Sequence, residues 1–147
     1  MRLAWLLLFL ALVPAAGAVT RGSTPRADAE SAFVAARFDE ADRGYAAILA
    51  RAPHDTLALF RRGQIALFAN RLADAKRFGE HALAAGATPI RVAALLGEVA
   101  YRQDDYATAA AQFKLFTGKE PSLEYMRTVL RRALSPVSLK APEEMQK

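Results

Sequence analysis

Leu96-Gly97-Glu98-Val99-Ala100-Tyr101-Arg102-Gln103-Asp104-Asp105-Tyr106-Ala107-Thr108-Ala109 decides the fold. The apolar residues before Gln103 suit a helix, and Asp104-Asp105 interrupts it. Asp tolerates the left-handed conformation that ends a helix, and a second Asp can cap the helix that follows. The stretch therefore reads as helix, turn, helix. The interval from Ala109 back to Ala75 recurs from Ala75 back to Ala41. Phe38, Leu72 and Tyr106 keep that interval, as do Tyr45, Gly79 and Phe113. Gly63 and Gly97 are also one interval apart, and Pro53 and Pro121 two. Five registers with one period mark an internal repeat.

The period has a physical meaning. Gly63 and Gly97 fall within helices, where glycine costs about 1 kcal/mol relative to alanine. That cost is tolerated where another backbone must come close, so the paired helix is expected to press there with Ala75 or Ala109. The large residue three before each alanine is expected to fill the space toward the next helix. Asn70-Arg71 occupies the turn equivalent to Asp104-Asp105, and Pro53 and Pro121 stop the second helices. The expected helices are about 25–36 and 39–51, 56–69 and 72–85, 89–102 and 105–117.

Leu96-Gly97, Tyr106, Ala109, Phe113 and Pro121 resemble the tetratricopeptide repeat. Its pattern places Leu-Gly in the first helix, an aromatic before Asp/Glu-x-Ala in the second, and a closing proline. Leu59, Gly63, Leu72, Ala75 and Ala82 give a second copy, and Phe38-Asp39-Glu40-Ala41, Tyr45 and Pro53 a first. The resemblance covers residues 23 to 134. It implies an all-α fold, a right-handed superhelical stack of three helical hairpins at about 22–55, 56–89 and 90–121. A capping helix over 122–134, begun by Ser122, would close it, and 135–147 would be a flexible tail. Some positions depart from the pattern. Ala29 stands in place of glycine, Ala36 in place of a turn Gly or Asn, Arg62 in place of leucine, and Gly79 in place of an aromatic. Pro89 lies beyond the closing position and is expected to start the next helix behind Thr88.

Composition excludes much else. Among 147 residues there is no cysteine, so disulfides, thiolate metal sites and a cysteine nucleophile are ruled out. His54 and His81 are the two histidines, too few for a site of three or more imidazoles. The net charge of +5 is modest and scattered, with adjacent basic pairs such as Arg61-Arg62 and Arg131-Arg132, so nucleic acid is not an expected partner. Met1-Arg2, the apolar run Leu3 to Val13, and Ala16-Gly17-Ala18 follow the layout of a secretory signal peptide over 1–18. The run is too short to span a bilayer, which takes about 20 apolar residues. Membrane contact is then expected only if that segment stays uncleaved. The Ala/Arg-rich usage points to a bacterial chain, exported to the periplasm or secreted.

Catalytic motifs are missing from the sequence. There is no Gly-x-Ser-x-Gly elbow and no glycine-rich phosphate loop, and Asp104-Asp105 reads as turn and cap rather than a carboxylate pair. The expectation is a protein that is no enzyme, without metal or cofactor. The resemblance implies a concave face built from the first helices, with Phe60, Gln64, Phe68, Arg91, Glu98, Tyr101 and Arg102 inward, joined by Tyr125. Leu57 and Leu67 share these positions but suit a core equally. Aromatic anchors with a few charges fit a peptide or helix of a protein partner. An exported interaction or assembly scaffold is thus expected. The alternative is the non-catalytic N-terminal repeat module of a larger exported enzyme. Gly63 to Leu72 and Tyr101 to Tyr106 are loosely similar to repeat segments that precede bacterial retropepsin-like aspartic protease domains. Asp55-Thr56 runs on into Leu57, so the catalytic Asp-Thr/Ser-Gly of those proteases is lacking.

Overall fold

A computed structural model describes residues 23–118, 122, 124–126 and 128. The expected signal peptide, the tail and most of the expected capping helix lie outside these residues. The described fold is all-helical: α1 (Pro25–Val34), α2 (Phe38–Arg51), α3 (Thr56–Phe68), α4 (Leu72–Ala84), α5 (Pro89–Arg102) and α6 (Tyr106–Thr117). Residues 124–126 and 128 are helical too, and Ser122 Oγ accepts from the Tyr125 amide at 3.3 Å. The helices pack in sequence-adjacent pairs, α1 on α2, α3 on α4 and α5 on α6. Thinner contacts run from α2 to α3, α4 to α5 and α3 to α5.

Local chemistry sets the ends. Thr24 caps α1 by accepting from the Ala27 amide at 3.2 Å, with Pro25 in the first turn. Asp55 accepts from Ala58 N at 2.9 Å to open α3, and Asp105 from Thr108 N at 3.1 Å to open α6. Thr88 holds the cap position of α5 ahead of Pro89, without a side-chain bond. Between α2 and α3, Ala52 precedes Pro53 and leaves the helical region at φ −135°, as the proline ring demands.

The three turns within hairpins are built alike. Ala36, Asn70 and Asp104 adopt φ of 58°, 56° and 59°. The following amide reaches back across the helix end: Arg37 N to Ala32 O at 2.9 Å, Arg71 N to Ala66 O at 2.8 Å, Asp105 N to Ala100 O at 3.0 Å. Each is a Schellman turn that satisfies orphan carbonyls. Ala36 adopts the left-handed conformation without the side-chain help that Asn or Asp gives itself. Gly86, at φ 96°, ends α4 the same way, with Ala87 N on Ala82 O.

Small residues set the helix separations, with two changes from expectation. A Cβ on Gly63 would lie 2.7 Å from Leu95 Cδ2 and 3.4 Å from Phe78 Cβ. The pressing group thus includes Leu95 from the next hairpin, beside the Ala75 carbonyl. In the first hairpin the glycine has moved to the other helix: a Cβ on Gly44 would sit 2.8 Å from Ala29 Cβ. That exchange explains why Ala29 is allowed. Ala41, Ala75 and Ala109 are fully buried, as are Tyr45 and Phe113. Phe38 fills the space toward the next hairpin, its ring 5.1 Å from Phe68. Tyr106 does not fill its equivalent space. It is 42% exposed, its hydroxyl donates to Asp104 at 2.8 Å, and its ring meets Tyr101 edge-on.

Candidate functional site

The residues expected to line one face divide three ways. Gln64 and Glu98 are buried, at 3% and 1% exposure. Their partners explain it: Gln64 Oε1 accepts from Arg61 Nη1 at 2.9 Å, and Glu98 Oε1 accepts from Arg102 Nε at 2.7 Å. Neither can present itself to a partner, which corrects their placement on an open face. Arg102 is half-buried and gives its second bond, at 3.0 Å, to the Leu67 carbonyl. It thereby ties α5 to the last turn of α3. Phe60, Phe68 and Tyr101 are half-buried, each with part of its ring packed against core side chains. Arg91 and Tyr125 are exposed, and the Tyr125 ring rests edge-on 5.6 Å from Phe113. Leu67 is core, while Leu57 is half-buried. What remains presentable is the exposed part of these aromatic rings, together with Arg91.

A polar network joins the first two hairpins, and the sequence reading does not contain it. Glu30 on α1 accepts from Tyr45 Oη at 2.6 Å, from Arg61 Nε at 3.1 Å and from Arg61 Nη2 at 2.9 Å. The Arg61 guanidinium also lies over the Phe33 ring, 4.4 Å from its centroid. Partial burial pushes the Glu30 carboxyl up, but the Arg61 and Tyr45 hydrogen bonds outweigh it and hold the group below the ordinary carboxylate range. Burial and donation to Glu30 push the Tyr45 hydroxyl well above the ordinary phenol value. A sequence signal for this network existed: Glu30, Gln64 and Glu98 repeat at the interval that separates Ala41, Ala75 and Ala109.

Two further ties flank it. Arg62, which departs from the repeat pattern, forks onto Asp42 at 2.7 and 3.2 Å and stacks over Phe78 at 4.7 Å. Arg26 pairs with Asp55, whose carboxyl that bond holds below its ordinary range. Asp104 and Asp105 occupy the turn and the cap. Among the described residues no group of three His, Cys, Asp or Glu side chains could hold a metal ion, and no helix is long and apolar enough to cross a membrane.

The shikimate 5'-dehydrogenase C-terminal domain family matches residues 109–131, 23 residues over part of α6 and beyond. No curated protein and no solved structure matches the chain. The match is short, and it corrects one expectation. Excluding an enzyme rested on missing motifs alone, whereas the matching family is a domain of an enzyme.

Proposed function

We propose that this is an exported helical-repeat protein of the tetratricopeptide kind. Its hairpins stack in a right-handed superhelix and hold a peptide or helix of a protein partner. The partner lies against Phe60, Phe68, Tyr101 and Tyr125, with Arg91 at the edge selecting for acidic side chains. The observation that carries this reading is the recurrence of one Schellman turn, at equal intervals, at Ala36, Asn70 and Asp104. Identical turns at a fixed interval are what stacking identical units requires. Half-exposed aromatic rings supply binding area at little entropic cost. Buried Gln64 and Glu98 and the engaged Arg102 support the scaffold from beneath. The test is affinity capture from periplasmic extract with the mature chain and with a Phe60→Ala, Phe68→Ala, Tyr101→Ala variant that keeps its helical circular dichroism. Loss of the captured protein by the variant supports the reading, and an unaltered capture refutes it.

A second reading, a repeat segment of a larger exported enzyme, draws on the enzyme-domain match at 109–131. A catalytic domain encoded in frame downstream would favour it.

A further inference from the structure

The chain has two histidines, far apart in sequence, and the fold brings them together. His54 sits in the short link between α2 and α3, and His81 in the last turn of α4. Antiparallel packing of α3 on α4 sets the start of one beside the end of the other. The two imidazoles therefore meet, ring centroids 6.2 Å apart and nearly perpendicular at 86°. Both residues are exposed.

We infer that His54 and His81 form a two-imidazole site for a divalent transition-metal ion of the Cu2+, Ni2+ or Zn2+ class. Imidazole nitrogens ligate such ions at about 2.0–2.1 Å. With each ring centre a further ~1.1 Å behind its nitrogen, two rings on one tetrahedral ion have centroids about 5 Å apart. The observed separation is about 1 Å wider than that geometry asks, within a small swing of two exposed side chains. Rotation about each metal–nitrogen bond leaves the angle between rings free, so 86° is compatible. Water completes the coordination, because no third ligand group stands ready among the described residues. An open, two-ligand site follows affinity order rather than geometry, so Cu2+ should bind most tightly of the three. The ion would fasten the link before α3 to the end of α4.

The test uses the untagged mature chain at pH 7.5, titrated with ZnCl2 and, separately, CuCl2 by calorimetry, with thermal unfolding followed in parallel. The inference expects one ion per chain, tighter Cu2+ than Zn2+, and a Tm raised by several degrees at saturation. His54→Gln and His81→Gln should each weaken binding at least tenfold and abolish the Tm rise, while leaving the metal-free Tm near the parent value. Two results overturn the inference. One is no saturable binding at millimolar ion. The other is a single substitution changing affinity less than twofold, since lone imidazoles would then be binding independently.

Discussion

Replacing Glu30 with alanine removes three hydrogen bonds at once and leaves the Arg61 charge with Gln64 and the Phe33 ring. Bonds to charged groups contribute about 1.5–3 kcal/mol each, so simple addition gives more than about 4 kcal/mol. That sum is too high. Breaking a buried ion pair costs about 3–5 kcal/mol in all, and the Glu30 side chain is 29% exposed, so water reaches the gap. About 3 kcal/mol is the expected loss, roughly 12 °C in Tm for a chain of this size. Arg61→Ala should cost about 2 kcal/mol, since Glu30 keeps its Tyr45 bond but the contact over Phe33 goes. In a double-mutant cycle the two should couple by about 2 kcal/mol, measured by urea unfolding followed through helical circular dichroism. Arg37–Glu40 is the control: both side chains are more than half exposed, and coupling there should stay under about 0.5 kcal/mol. A Glu30–Arg61 coupling no larger than the control would refute the claim that this pair fastens the first two hairpins.

Other substitutions read other parts of the argument. Ala36→Gly should stabilise by about 1 kcal/mol in thermal unfolding, because glycine accepts φ 58° freely, whereas Ala35→Gly, at a negative φ, should not. Gly44→Ala should cost about 2 kcal/mol, because Ala29 Cβ cannot move without its helix, and adding Ala29→Gly should recover much of the loss. The pH profile has a definite sign on each side. Glu30 is held below its ordinary value of 4.5, so its contribution is present above that pH and lost as pH falls through its folded value. Tyr45 is raised above its ordinary 10.0, so its contribution is present below pH 10 and lost as pH rises through its folded value. In urea titrations across pH, Glu30→Gln should flatten the acid limb and Tyr45→Phe the alkaline one.

Helix positions were legible because local signals set them. Asn70, Asp104 and Asp105 announce their turns and cap, and the six helices expected between 25 and 117 each lie within two residues of the observed ones. Side-chain roles on the inward face were harder to read. The resemblance puts Gln64 and Glu98 on an open inward face, whereas both are buried beside Arg61 and Arg102 of their own helices. The bonds to those arginines are local, three and four residues apart on one helix, whereas the packing that buries both groups comes from neighbouring helices, beyond any local window. Tyr106 shows the same limit from the other side. The repeat gives it the place of Phe38, yet Phe38 has the Phe68 ring from the next hairpin to meet, while Tyr106 turns to Asp104 and Tyr101. The meeting of His54 with His81 was invisible for the same reason: two unremarkable positions became neighbours only through helix pairing.

The two junctions between hairpins are fastened by different chemistry, and solvent can tell them apart. Protonating Glu30 strips the first junction of a charged anchor, while the guanidinium of Arg102 grips a backbone carbonyl that acid does not titrate. As pH falls below 4.5 and through the folded value of Glu30, the molecule should therefore loosen first at its amino-terminal hairpin, before the later helices part.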